Sequence, residues 1–327
     1  MKAAVGTVYF GKLPSRGDFV RSAQQPALTQ SLDRWVSGAL EQMSTDVRWK
    51  EVYDTAPALH FAVLGSAGRS AMAGHLVASS DHSGRRFPFI AAGTFEVEQP
   101  LAFMARSPMA LTRLWNQYER LARRALTDAD AVPVLGELNA LQAEVVVDPA
   151  AYDAGYGDFL EMQTVGSLQS ALAAAHPQVD VRLSLLGLGL LLQPVPASGI
   201  NSLEKGVRLP LPGDPLYGPL FAAWWIDLAS RFLSRADFEV VLFMPQGERA
   251  GPASLSIGFA GGSPAALHAM LDARAGADMF VDLLAPAWAG EQADQDWALA
   301  KLDSYLGQEG LSLRQLAASF GETFLGE

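Results

Sequence analysis

Two short runs gather the side chains best suited to recognising an anion. Lys12, Arg16, Asp18 and Arg21 fall together in one loop-like stretch, and Arg85 and Arg86 stand side by side in SGRRFPF. A guanidinium is a planar fork that pairs with carboxylates and phosphates through parallel hydrogen bonds, so paired basic loops can form a docking surface for an acidic or phosphorylated partner. The competing reading is internal, with Asp18 pairing with one of these arginines and bracing the two loops. Catalytic patterns are missing. His60, His75, His82, His176 and His268 never fall at the spacing of a metal site. His60 alternates with apolar neighbours and is expected to be structural or on the surface, and His82 beside Asp81 is expected in a loop. G-x-S-x-G does not occur, and SLEK at 202–205 lacks the companion motifs of an S-x-x-K enzyme. GSAG (65–68) and GFAGG (258–262) carry no lysine where a phosphate-binding loop needs one, and read as plain turns. No catalytic residue, metal ligand or cofactor site is therefore expected.

Composition narrows the class. The 327 residues are 50% hydrophobic, enough for a large packed core, and contain no cysteine. Disulfides, zinc–thiolate sites and thiol nucleophiles are excluded, and a cytoplasmic protein fits best. The net charge of −11 argues against nucleic acid as a partner. That charge is uneven: residues 1–127 hold 15 Lys and Arg against 10 Asp and Glu, and residues 128–327 hold 9 against 25. A basic face on the first part and an acidic remainder is one reading, and mutual complementation of the two parts is the other. Residues 183–203 carry no charge, but only the first ten are strongly apolar. A spanning helix needs roughly 20 apolar residues, so no membrane insertion is expected.

The elements that must position the basic loops follow from periodicity. Residues 4–10, 59–65, 74–79 and 86–95 read as strands separated by glycine-bearing turns. Helices are predicted over 27–43 and 109–126, where Leu32, Trp35 and Val36, then Leu111, Leu114, Trp115 and Tyr118, recur on one face. Residues 133–145 and 158–175 look helical. VRLSLLGLGLLL (181–192) reads as a strand or a hairpin bent at its glycines, and the proline-rich 193–219 as an irregular loop. Helix is expected over 220–234, strands over 238–244 and 254–259, and a helix from Pro264 capped by Ser263. Two further helices, broken near 307–310, close the chain. Interleaved strands and helices predict an α/β layered sandwich, a mixed sheet flanked by helices, with a helical C-terminal extension. Trp35, Trp115, Trp224 and Trp225 are candidate interface anchors, although core is the commoner role of such residues.

The basic loops also carry a resemblance. YFGKLPSRGDFVR (9–21), DRW (33–35) and SSDHSGRRFPF (79–89) resemble the opening of the TagF (also ImpM) family, accessory proteins of the bacterial type VI secretion system. Trp49, Tyr53, Pro57 and Phe61 lie between these motifs as in that family. AAWW (222–225) is a softer match to its S-L-W-W segment, and GFAGGSPAALHAMLD (258–272) is similar to its closing turn and helix. The resemblance spans most of residues 1–273 and implies an α/β sandwich over 1–275, with an insertion at about 150–215 and a helical extension over 276–327. It further implies a post-translational repressor of secretion and not an enzyme. The implied partners are the forkhead-associated scaffold protein and, in some bacteria, the cytoplasmic part of the inner-membrane component TssL. Some relatives are fused to a PP2C-type phosphatase domain, whose acidic metal-binding motifs are not found here. The alternatives are a structural assembly adaptor of the secretion system or a small anionic-ligand-binding protein.

Overall fold

The computed structural model describes residues 1–326. The chain opens with β1 (Lys2–Gly11) and β2 (Val20–Arg21), followed by α1 (Pro26–Met43) and α2 (Trp49–Thr55). A meander of β3 (Ala58–Gly65), β4 (Ser70–Val77) and β5 (Phe89–Glu96) leads into α3 (Pro100–Thr127), α4 (Val132–Asn139) and β6 (Ala143–Val146). Next come α5 (Ala150–Met162), α6 (Val165–Ala173), α7 (Val181–Leu192) and α8 (Val195–Ser198), then β7 (Gly206–Pro210) and α9 (Gly218–Arg231). The chain continues through β8 (Glu239–Gln246), β9 (Ser254–Gly258), α10 (Pro264–Leu271), α11 (Ala273–Met279) and β10 (Phe280–Asp282). It closes with α12 (Ala287–Ala293), α13 (Trp297–Leu306) and α14 (Leu313–Leu325).

All ten strands of the described residues join one mixed sheet in the order β10-β7-β9-β8-β3-β4-β5-β1-β2, with β6 also pairing β1. Only β10 on β7 is parallel. The alternating faces of the strands decide the layers. Along β1, Val5 and Tyr9 enter a core shared with α3, α4, α7, α9 and α14, whereas Val8 and Phe10 enter a second core under α1, α2 and α10. This is the expected sandwich, a mixed sheet with helices on both faces and a helical C-terminal region.

Local chemistry explains the helices that hold the site. In α1, Leu32, Trp35, Val36, Ala39 and Met43 form one buried stripe. In α3, Leu111, Leu114, Trp115, Tyr118 and Leu121 do the same on the other face. The Ser263 hydroxyl accepts from the Ala266 amide at 3.1 Å and caps α10, with Pro264 in its first turn. The tryptophans belong to the core: Trp35, Trp115 and Trp225 are buried and donate Nε1 to the carbonyls of Ser263, Phe61 and Pro210, and Trp224 is fully buried beside Trp225.

Three expectations are corrected. Residues 181–192 form a helix, not a strand or hairpin. Asp180 caps it by accepting from the Leu183 amide, and its glycines serve packing: a Cβ on Gly189 would collide with the Phe324 ring of α14. A continuous apolar run lacks the periodicity that separates the two states. By composition, 181–198 is long and apolar enough to cross a membrane, yet half of it is buried within the fold. Residues 143–145 are strand, because Ala143 and Val145 face the core while Glu144 faces out against β1. Inside the proline-rich stretch, Gly206–Pro210 enters the sheet through buried Val207 and Leu209.

Candidate functional site

The two basic loops meet, and the residue that joins them is Asp81. Gly11 ends β1 at φ 138°, where a Cβ would run into the Pro88 carbonyl and Phe89 Cα, so only glycine brings the two loops this close. Lys12 then turns inward, and its Nζ lies 3.0 Å from the Asp81 carboxylate, both side chains being buried. On the second loop the Asp81 carboxylate accepts from the Ser83 amide at 3.0 Å and hydroxyl at 2.7 Å. It also accepts from the Arg85 amide at 3.0 Å and Nε at 2.6 Å. Gly84, at φ 79°, lets the turn close. Arg85 Nη2 reaches back to the Gly17 carbonyl at 2.7 Å, and the His82 amide donates to the Arg16 carbonyl at 2.8 Å. Burial alone would push the Asp81 carboxyl up. The hydrogen bonds from Ser83, Lys12 and Arg85 outweigh it and hold the carboxyl well below the usual carboxylate range.

A second pair ties the loop to α2. Arg86 makes a bidentate contact with Asp54 at 2.8 and 2.6 Å, which keeps the Asp54 carboxyl below its ordinary value and raises Arg86. Behind it, the Tyr53 hydroxyl donates to the Ser79 carbonyl and accepts from the Ser79 amide, both at 2.9 Å. Ser79 Oγ donates to the Lys12 carbonyl at 2.7 Å.

The six residues expected at a docking face thus divide. Lys12 is buried and committed to Asp81, and Arg86 is held by Asp54. Arg16 pairs with Asp130 at 3.1 Å. Asp18 does not brace the loops: its carboxylate accepts only from the neighbouring Phe19 amide, at 2.8 Å, and the bracing carboxylate is Asp81. Adjacent position in the sequence favoured Asp18, whereas contact across two loops selects Asp81. Arg85 is anchored through Nε yet leaves 61% of its side chain exposed, and Arg21 and Asp18 are exposed. Phe19, 42% exposed, stacks on Phe10 at 5.4 Å and meets the edge of Phe87 at 4.9 Å, with Lys12 Nζ 4.9 Å from its ring centre. Asp18, Phe19, Arg21 and Arg85 make up the exposed rim of a fixed scaffold, and that rim can recognise a partner but holds no nucleophile–base pair.

Histidine spacing along the chain does not reveal a buried pair that the sheet brings together. His60 of β3 and His75 of β4 are register partners, their Nδ1 atoms 3.0 Å apart, and His60 stacks on Trp115 with Glu119 3.5 Å from its Nε2. Burial pushes His60 down to about 2, with His75 adding to it, and His75 down to about 4, with Arg123 adding. Both are neutral at pH 7, one donating and the other accepting. Counting outward from the SAGR turn would have placed 60 opposite 75. Among the described residues no group of three or more His, Cys, Asp or Glu is arranged to hold a metal ion.

Comparison with known proteins bears on the same loops. Residues 8–141 match the family described as TagF N-terminal domain, type VI secretion system-associated. The crystal structure of PA0076 from Pseudomonas aeruginosa PAO1 is similar at 23% identity and a TM-score of 0.35, over 42% of this chain and 63% of that one. The chain thus spans under two thirds of that protein's length. No curated protein matches the sequence. The matched residues supply the C-terminal part of β1 and all of β2–β5, a contiguous block at one end of the sheet.

Proposed function

Since residues 8–141 are a TagF N-terminal domain and the protein is type VI secretion-associated, we propose that it is a non-enzymatic, post-translational repressor of that system. It acts in the cytoplasm by occupying its partners, the forkhead-associated scaffold and the cytoplasmic part of TssL. The observation that supports this reading is the Asp81-centred brace. It spends Lys12 and part of Arg85 on rigidity and leaves Asp18, Phe19, Arg21 and Arg85 on one preorganised rim. An aromatic ring flanked by charges on a fixed backbone is the usual make-up of an interface hot spot, and rigidity lowers the entropy cost of docking. The exposed charges of the rim are mainly basic, which suits an acidic partner surface.

The test is titration calorimetry of the full chain against the purified scaffold and, separately, the cytosolic domain of TssL. Micromolar or tighter binding to either is expected. It should weaken at least about tenfold in Arg21→Glu and in Phe19→Ser, which leave the Asp81 hydrogen bonds in place. Absence of heat with both partners at two temperatures, or equal affinity of the folded variants, overturns the reading. Deletion should raise secretion; a loss of secretion would instead identify an assembly adaptor.

A further inference from the structure

An arginine stands out for lacking what its counterparts have. Seven arginines of the described residues are half-buried, and six of them are held by a carboxylate: Arg16, Arg86, Arg106, Arg124, Arg182 and Arg231. The seventh, Arg208 on β7, has no side-chain hydrogen bond or ion pair among the described residues. A half-buried guanidinium without a counter-charge is costly to hold, and the remainder of the chain avoids it.

Arg208 lines a hollow of about 610 Å³ between the β7 side of the sheet and α2. Segments remote in sequence converge there. Arg48 enters from the start of α2, Arg249 from the turn after β8, and Arg274 from α11. Asp272 and Asp282 are the carboxylates of the lining, and each already serves a backbone amide, that of Arg274 or Leu284. Asp282 is the register partner of Arg208, yet no ion pair forms between them. Arg249 spends one nitrogen on the Asp54 carbonyl, which supplies no charge, and Arg48 and Arg274 share Asp46 at 3.3 and 3.9 Å. Beside Arg208 on β9, register-paired Ser256 has a buried hydroxyl without a partner. Val52, Pro245 and Met270 add an apolar wall.

We propose that this hollow is a binding site for a small organic phosphate, with Arg208 as its central anion ligand. Four arginines against Asp272, Asp282 and the neighbouring Asp46 leave an excess of one positive charge in a protein that is strongly acidic overall. A phosphate monoester carries about −1.5 to −2 charge and three acceptor oxygens at pH 7. Guanidinium forks suit its oxygens, and the apolar wall suits the organic part. The volume lies within the roughly 300–1,000 Å³ of small-molecule sites. This site lies outside the rim described above and does not depend on its partners.

The experiment is calorimetric titration of the full chain with adenosine monophosphate, inorganic phosphate, adenosine and citrate, paired with thermal melts. Expected are a Kd for the nucleotide below about 100 µM, competition by inorganic phosphate, and no binding of adenosine. Arg208→Gln should weaken binding at least tenfold. Without ligand it should melt at or above the wild-type temperature, because it removes an unpaired charge. Arg34→Gln, an exposed arginine on α1, should bind as wild type. Equal binding by Arg208→Gln, no binding of any phosphate probe at millimolar concentration, or citrate binding as tightly as the nucleotide would each overturn the assignment. So would a ligand-free Arg208→Gln that melts well below wild type, since that would give Arg208 an internal structural role.

Discussion

Two arginine-bearing places that both adjoin α2 handle charge in contrary ways. At the motif loops each enclosed cation is answered: buried Lys12 by Asp81, which also holds the exposed Arg85, and half-buried Arg86 by Asp54. Around Arg208 four arginines gather and the most enclosed of them is unanswered. The first arrangement fixes backbone, because each charge is consumed within the fold. The second stores unused binding capacity. A basic motif read from sequence is therefore not automatically a basic surface, and the charges free to meet a ligand need not lie in the motif.

Removing the counter-charge at Asp81 has the largest expected effect. Asp81→Asn leaves the Lys12 ammonium buried beside a neutral group and weakens the grip on Arg85. Breaking a buried pair from one side is far worse than replacing both, so Tm should fall by on the order of 10 °C in a thermal melt. Adding Lys12→Met should recover part of the loss. A double variant no better than the single one would show that Lys12 is satisfied without Asp81.

Next in size is the hinge that brings the loops together. Gly11→Ala places a Cβ against the Pro88 carbonyl in backbone that disfavours a side chain, and should cost about 2–4 kcal/mol in urea unfolding. Gly17, in the same motif, has open space around its Cβ position and contributes only its carbonyl to Arg85. Gly17→Ala should change stability by less than about 0.5 kcal/mol. Comparable losses at both positions would mean that the motif is held as a unit and not by its close approaches.

The histidine pair offers a pH handle on the same region of the sheet. In the unfolded chain both imidazoles titrate near 6.5, whereas in the fold burial holds His75 at about 4 and His60 at about 2. The unfolded state therefore binds more protons below pH 6.5, and stability rises with pH through that window. The stabilisation is whole above 6.5 and declines as the pH falls. By pH 5.5 the two should remove on the order of 2–3 kcal/mol. The Asp81 and Asp54 carboxyls, held low, withdraw their support only below the ordinary carboxylate range near 3.8. A flat stability between pH 7 and 5.5, or an unchanged slope in a folded His60→Gln, His75→Gln variant, would contradict this.

The fold was largely legible because amphipathic stripes such as Leu111–Trp115–Tyr118 announce one buried face, and a short apolar run between turns, such as Leu59–Leu64, announces a strand covered on both. Residues 181–192 read as a strand or bent hairpin because an element buried on nearly all sides shows no period, and their glycines mark helix contacts instead of a bend. The site was half legible. The two basic loops converge in space as their residue chemistry suggested, but that chemistry depends on pairs that sequence distance hides: Lys12 with Asp81, Arg86 with Asp54, His60 with His75. Arg208 carries no local signal at all, since its isolation arises from what the strands around it fail to supply.

The smallest expected effect separates side chain from backbone within the motif. Arg16 pairs with Asp130, but the two are 36% and 66% exposed, and such pairs contribute between zero and about 1 kcal/mol. The loop at Arg16 is instead held by its main chain, with the amide donating to the Leu13 carbonyl at 2.9 Å and the carbonyl accepting from the His82 amide at 2.8 Å. Arg16→Ala keeps both bonds and should lower stability by no more than about 0.5 kcal/mol. If Arg16 nevertheless proves necessary for partner binding, its guanidinium exchanges Asp130 for a carboxylate on the partner. A loss above 1 kcal/mol in the isolated chain would instead place Arg16 with Lys12, among the cations the fold itself consumes.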